Sequence, residues 1–103
     1  MQVRYLAIKE MIQLPDDEKL HAIAYLSDET VLHIRERYHK GFLIKYSYHY
    51  ISEFGIFRWD NVPHHSSVLT FPYHCHIHDE VKESLPMDII TVFKKIESGL
   101  EIN

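Results

Sequence analysis

The sequence predicts an α+β fold: an antiparallel β-meander of four to five strands, with a short N-terminal helix before it and a C-terminal helix after it. Three observations predict this. Residues 30–39 and Phe42–Ser52 are rich in β-branched and aromatic side chains, and the two residues between them, Lys40-Gly41, suit a hairpin loop. Pro15 interrupts the apolar pattern near the amino terminus. Beyond Pro86, the residues Ile89, Ile90, Phe93, Ile96 and Leu100 recur at helical spacing, with Gly99 near the end.

Taken in order, Val3, Leu6, Ala7 and Met11 share one helical face, which predicts a helix from about residue 4 to residue 13. The next segment reads two ways. Pro15 followed by Asp16, Asp17 and Glu18 is helix-start chemistry, yet Leu20, Ala22, Ala24 and Leu26 alternate with His21, Ile23 and Tyr25 as a strand would. Residues 53–55 make a second turn, 56–60 a shorter strand, 66–70 a loop and 73–79 a short final strand.

Register arithmetic goes further. With two-residue loops at Lys40-Gly41 and Glu53-Phe54, Tyr38 faces Leu43, Glu36 faces Lys45, Ile34 faces Ser47, Ile51 faces Ile56 and His49 faces Arg58. Side chains alternate between faces, so one face carries Val31, His33, Ile44, Tyr46, Tyr48, Tyr50, Phe57 and Trp59 as a core. The other gathers Glu36, Lys45, His49, Arg58 and Asp60, with Leu32, Ile34, Leu43 and Ile51 among them.

Length and charge bound the function. A chain of 103 residues makes a single domain spanning 1–103, and 46% hydrophobic with 25% charged residues excludes disorder. No apolar run approaches the ~18 residues of a membrane span, and no signal-peptide pattern opens the chain. The lone Cys75 closes no bridge within the chain, which makes the cytoplasm the expected compartment. A net charge of −4 excludes a strongly basic coat, so any nucleic-acid contact must be local.

Five of the nine histidines fall within residues 64–78, in Arg58-Trp59-Asp60-Asn61-Val62-Pro63-His64-His65 and Phe71-Pro72-Tyr73-His74-Cys75-His76-Ile77-His78. Imidazole exchanges protons near neutrality and ligates metals, and Pro63 and Pro72 stiffen the backbone that carries these groups. The plain alternative is a polar surface loop. Three chemistries could use the cluster. His74, His76 and His78 lie on one side of a strand and could hold zinc or another divalent metal, although no further spacing completes a zinc motif. Metal-free cleavage of RNA needs a base for the 2′-hydroxyl, an acid for the leaving oxygen and a cation for the phosphorane, and histidine, carboxylate and arginine are all present. Nucleophilic catalysis by Cys75 is disfavoured, because His74 and His76 point to the other face.

The two segments resemble the signature of TumE-like toxin components of prokaryotic toxin–antitoxin loci, an Arg-aromatic-Asp-Asn-x-Pro-His-His segment followed by Phe-Pro-His-His-x-His. Arg35-Glu36 and Tyr46-Ser47-Tyr48-His49 also fit the family's strands, and the resemblance favours a strand over residues 20–26. It departs at Tyr73, where the family usually has histidine, and at Cys75, where lysine is frequent. The resemblance implies a toxin of a type II toxin–antitoxin system with a cognate antitoxin protein as partner. With the chemistry above, the expected activity is that of a metal-independent endoribonuclease acting on cellular RNA, with no cofactor and no membrane partner. A homo-oligomer is compatible with it. The expected catalytic residues are Arg58, Asp60, His64, His65, His74 and His76. Arg58 would be the phosphate-binding cation, His65 or His76 the general acid, and Asp60 an orienting group or base. Glu36 and His49 are second choices. The competing reading is a non-enzymatic interaction protein stabilised by a histidine-bound ion. Nucleotide transfer finds no glycine-rich phosphate loop here.

Overall fold

The computed structural model describes residues 2–99. Seven strands, β1 (Val3–Gln13), β2 (Asp17–Leu26), β3 (Val31–His39), β4 (Phe42–Ser52), β5 (Gly55–Asp60), β6 (His74–Ile77) and β7 (Glu80–Glu83), form one antiparallel sheet in sequence order. One helix, α1 (Ile89–Glu97), follows. The meander is therefore longer than four to five strands, and the N-terminal helix is absent.

Residues 4–13 belong to the edge strand β1. Short apolar runs cannot be assigned by periodicity alone. Here pairing with β2 decides, through Leu6–Ala24, Ile8–Ala22 and Met11–Leu20. Register shifts between Val3 and Tyr5 and between Ile8 and Glu10 break strict alternation, so the segment mimics a helical spacing. Pro15 sits in the β1–β2 turn, closed by Leu14 N–H donating to the Asp17 carbonyl at 2.8 Å. The second unexpected strand, β7, is polar and mostly exposed, and it forms by hairpin pairing with β6 across His78-Asp79.

The β3–β4 loop is the expected two-residue one. Lys40 and Gly41 both have positive φ, 49° and 82°, which matches the right-handed twist of the flanking strands. A bulge between Arg37 and Tyr38 then shifts the register by one residue. Tyr38 faces Leu43 as expected, but Arg37 faces Lys45, Glu36 faces Tyr46 and Arg35 faces Ser47. One slipped residue exchanges the two faces of β3. Leu32, Ile34 and Glu36 thereby enter the core, while His33, Arg35 and Arg37 go to the other side. Pairings Ile51–Ile56 and His49–Arg58 follow the sequence arithmetic.

Core residues Ala22, Ala24, Leu26, Leu32, Ile34, Tyr46, Tyr48, Tyr50, Trp59 and Cys75 share one sheet face, and Met87, Val92 and Ile96 cover them. Asp88 caps α1, its Oδ1 accepting the Thr91 N–H at 2.8 Å. Among the four apolar residues expected to pack, Ile96 is buried and Ile89 and Phe93 are half-buried, but Ile90 is 64% exposed and Val92 takes its place. Leu100 lies outside the described residues. Tyr48 donates to Glu36 Oε2 at 2.6 Å, which satisfies this buried carboxylate inside the core. The molecule is only 19 Å thick, room for one sheet and one helix layer of about 10 Å each. The opposite sheet face carries no helix among the described residues.

Candidate active site

Strand β5 divides its side chains between the two faces. Trp59 is 1% exposed in the core, whereas Arg58 and Asp60 stand on the open face. Strand β6 repeats the division: Cys75 lies beside Trp59, while His76 and His74 lie beside Arg58 and Asp60. Asn61 extends the β4–β5 ladder past its end, accepting the Tyr46 N–H and donating to the Ile44 carbonyl, each at 3.0 Å. Its amide thus has a structural role. The chain from residue 61 to residue 73 then returns His64 and His65 over the sheet through successive turns, Val68 to His65, Phe71 to Val68 and Tyr73 to Thr70.

Asp60, 4% exposed, is the centre of the cluster. Its Oδ1 lies 2.8 Å from His74 Nε2 and accepts the Val62 N–H at 3.1 Å. Its Oδ2 lies 3.0 Å from Arg58 Nε, an ion pair by distance, although that N–H has no aligned hydrogen bond. His74 Nδ1 donates to the Pro72 carbonyl at 2.8 Å, so both ring nitrogens of this buried histidine face acceptors. Arg58 Nη2 donates to His76 Nε2 at 3.0 Å. Because a guanidinium has only donors, that nitrogen of His76 presents its lone pair. His65 completes the group, its ring centroid 4.9 Å from that of His74 and 5.2 Å from that of His76.

All six expected catalytic residues, Arg58, Asp60, His64, His65, His74 and His76, line one cavity of about 250 Å³, with Ser47 and Val62. Ser47 was missed, although continuing the β4–β5 register from His49–Arg58 places it opposite Asp60. A larger cleft of about 780 Å³ between Tyr50, Phe57 and Ile96 gathers no imidazoles and no Arg or Lys. Of the second choices, Glu36 is on the core face and His49 is beside Arg58. The expected metal candidates His74, His76 and His78 do not converge as a trio. His78 lies in the β6–β7 turn with φ 55°, its ring 5.8 Å from that of Phe57 and over Gly55, where any Cβ would strike it. Ring nitrogens of His65, His74 and His76, one from each, lie instead within 4.8 Å of one another. The two departures from the motif fall outside the cavity, with Tyr73 packed against the core and Cys75 buried in it. Burial pushes the Cys75 thiol up to about 12, so it is inert as a nucleophile.

Three imidazoles titrate below the ordinary range. Burial and then Arg58 lower His76; burial, His33 and Arg58 lower His49; burial, Arg35 and His33 lower His21. As pH falls, the unfolded chain therefore takes protons at these positions before the folded one. Their stabilisation is complete above the unfolded value of about 6.5 and is lost on acidification below it. The denaturant midpoint is expected to fall between about pH 7 and about pH 5.5, and His21→Gln with His49→Gln should flatten that slope. A midpoint that rises on acidification would contradict the assignment.

No helix among the described residues is long and apolar enough to cross a membrane. No curated protein and no solved structure matches the chain. The family model described as "Toxin TumE" matches residues 4–102, nearly the whole length. The chain belongs to the TumE toxin family, a toxin of a toxin–antitoxin system whose partner is an antitoxin.

Proposed function

We propose that this toxin is a metal-independent endoribonuclease that cleaves cellular RNA by histidine acid–base chemistry as the toxin of a type II pair. One observation carries the reading: Arg58, His76 and the Asp60-held His74 lie within hydrogen-bond distance in one open cavity. RNA supplies its own nucleophile. As Arg58 turns from His76 to the phosphate, the freed lone pair of His76 Nε2, a nitrogen that titrates low, takes the 2′-hydroxyl proton. Arg58 neutralises the phosphorane as charge builds on it. His65 protonates the leaving 5′-oxygen, and Asp60 fixes His74 and Arg58 around the reacting phosphate. The test is RNA incubated in chelator with the purified toxin freed of antitoxin. Products ending in 2′,3′-cyclic phosphate and 5′-hydroxyl are expected, with 2′-O-methylated RNA left intact. Intact RNA, or cleavage of the methylated strand, would overturn the proposal.

A second reading is favoured by the convergence of His65, His74 and His76, whose nitrogens could hold a divalent metal ion as three of four tetrahedral ligands. Stoichiometric zinc in the purified protein, with RNA decay lost in chelator, would replace the first reading by this one.

We place the antitoxin on the outer edge of β1. That strand exposes Tyr5, Leu6, Ile8, Met11 and Ile12 and, among the described residues, pairs only with β2, so its outer backbone groups can accept a further strand. Toxin co-expressed with its genomic neighbour should co-purify with that gene's product, and Ile8→Asp with Ile12→Asp should abolish the complex. Full co-purification of the double variant would place the antitoxin elsewhere.

A further inference from the structure

Beside the histidine cavity lies a second one of about 280 Å³, and the two share Ser47 and Val62 in their walls. Its charged rim comes from the β3–β4 register shift, where Ile44 of β4 is the extra residue. The register shift sets Arg37 opposite Lys45 on β4 and opposite Lys19 on β2, and sets Arg35 opposite Ser47. Arg35, Arg37 and Lys45 are exposed, and among the described residues none is in a salt bridge; Lys19 pairs with Glu10 at 3.0 Å. Like charges directly opposite one another across strands oppose folding. Lys19, Arg37 and Lys45 align in this way and Arg35 adds a cation two residues along the same face of β3; in a chain of net charge −4 this grouping is unexplained by stability. They fit an anion held between them.

We infer that this cavity is a second anionic subsite, in which Arg35, Arg37 and Lys45 hold the backbone phosphate of a nucleotide next to the cleaved bond in single-stranded RNA. The inference rests on the ribonuclease reading and adds to it the path of the substrate. Arg35 is two strand positions from Asp60, about 10 Å at ordinary strand spacing, so a neighbouring phosphate reaches the cations while another sits at Arg58. A single strand fits better than a duplex, because the reacting 2′-hydroxyl must reach His76 on the floor of the sheet.

The experiment uses the full-length toxin and a labelled, fully 2′-O-methylated oligoribonucleotide, read by anisotropy across a range of salt. In the variant Arg35→Gln/Arg37→Gln/Lys45→Gln, the slope of log affinity against log salt should fall by about 2, from ~0.7 per cation on single strands. On cleavable RNA its KM should rise with kcat unchanged, since none of the three touches the reacting atoms. Lys94→Gln/Lys95→Gln, on the helix, should leave the slope unaltered. An unchanged slope in the triple variant, or an equal fall in the helix variant, would overturn the inference. So would normal RNA binding with loss of antitoxin co-purification, which assigns this face to the antitoxin. Failure of the ribonuclease reading looks different: unmethylated RNA stays intact, while the methylated strand still binds with the steep, cation-dependent slope.

Discussion

Replacing Arg58 or His76 by alanine is expected to abolish growth arrest and to leave the protein folded. Each proton carrier in acid–base catalysis contributes a factor of ~10² to 10⁴ in rate. In the proposed cleavage Arg58 adds the cation that meets the developing phosphorane charge. Neither side chain enters the core: Arg58 is 42% exposed and His76 stands on the open sheet face. Asp60 would still be held by the Val62 N–H and by His74 after either substitution. The checks are growth arrest on expression and RNA decay in vitro, with circular dichroism and melting compared to the parent. Folded Arg58→Ala and His76→Ala proteins that remain fully toxic would show that the chemistry lies elsewhere.

One residue further along β5, the expectation reverses. Trp59→Ala should unfold the protein or bring it close to unfolding. Truncating a buried tryptophan typically costs 3–5 kcal/mol, roughly, and a domain of this size holds only about 5–15 kcal/mol in all. Trp59 is 1% exposed and shares the core with Tyr48, Tyr50 and Cys75. Urea unfolding of the variant should show a midpoint close to zero denaturant or no cooperative transition. A Trp59→Ala protein as stable as the parent would mean that this face is not the core. Taken together, adjacent substitutions on a single strand should separate loss of activity from loss of fold.

That separation was legible in the sequence, because alternation on β5 and β6 follows directly from residue order once both are read as strands. Arg58 and Asp60 then share a face of one strand, and His74 and His76 a face of the other; the β5–β6 register, which residue order does not fix, brings the two pairs together. The candidate site was legible for a second reason: its residues sit in two short segments, so little tertiary information was needed to group them. What failed depended on backbone irregularity. The bulge at Arg37 and Tyr38 carries no clear residue signal, yet it sends Glu36 into the core and Arg35 to the open face. Strand β1 was misread because an exposed edge strand has no buried face to impose a period of two. Strand β7 was missed because three of its four residues are charged and the segment owes its conformation to the β6 hairpin. Ile90 and Val92 exchanged places because the helix presents a narrower stripe to the sheet than its apolar residues suggested.

Placing the proposed reacting groups and the packed interior on opposite sides of one sheet has a consequence for inheritance. Selection against a toxin favours any change that disarms it, and here a single codon at Arg58 or His76 is expected to suffice without sending the chain to proteolysis. Disarmed copies of such a gene should therefore persist as folded proteins. Their β1 edge would be intact, so each would still occupy antitoxin and lower the amount left to restrain an active copy in the same cell.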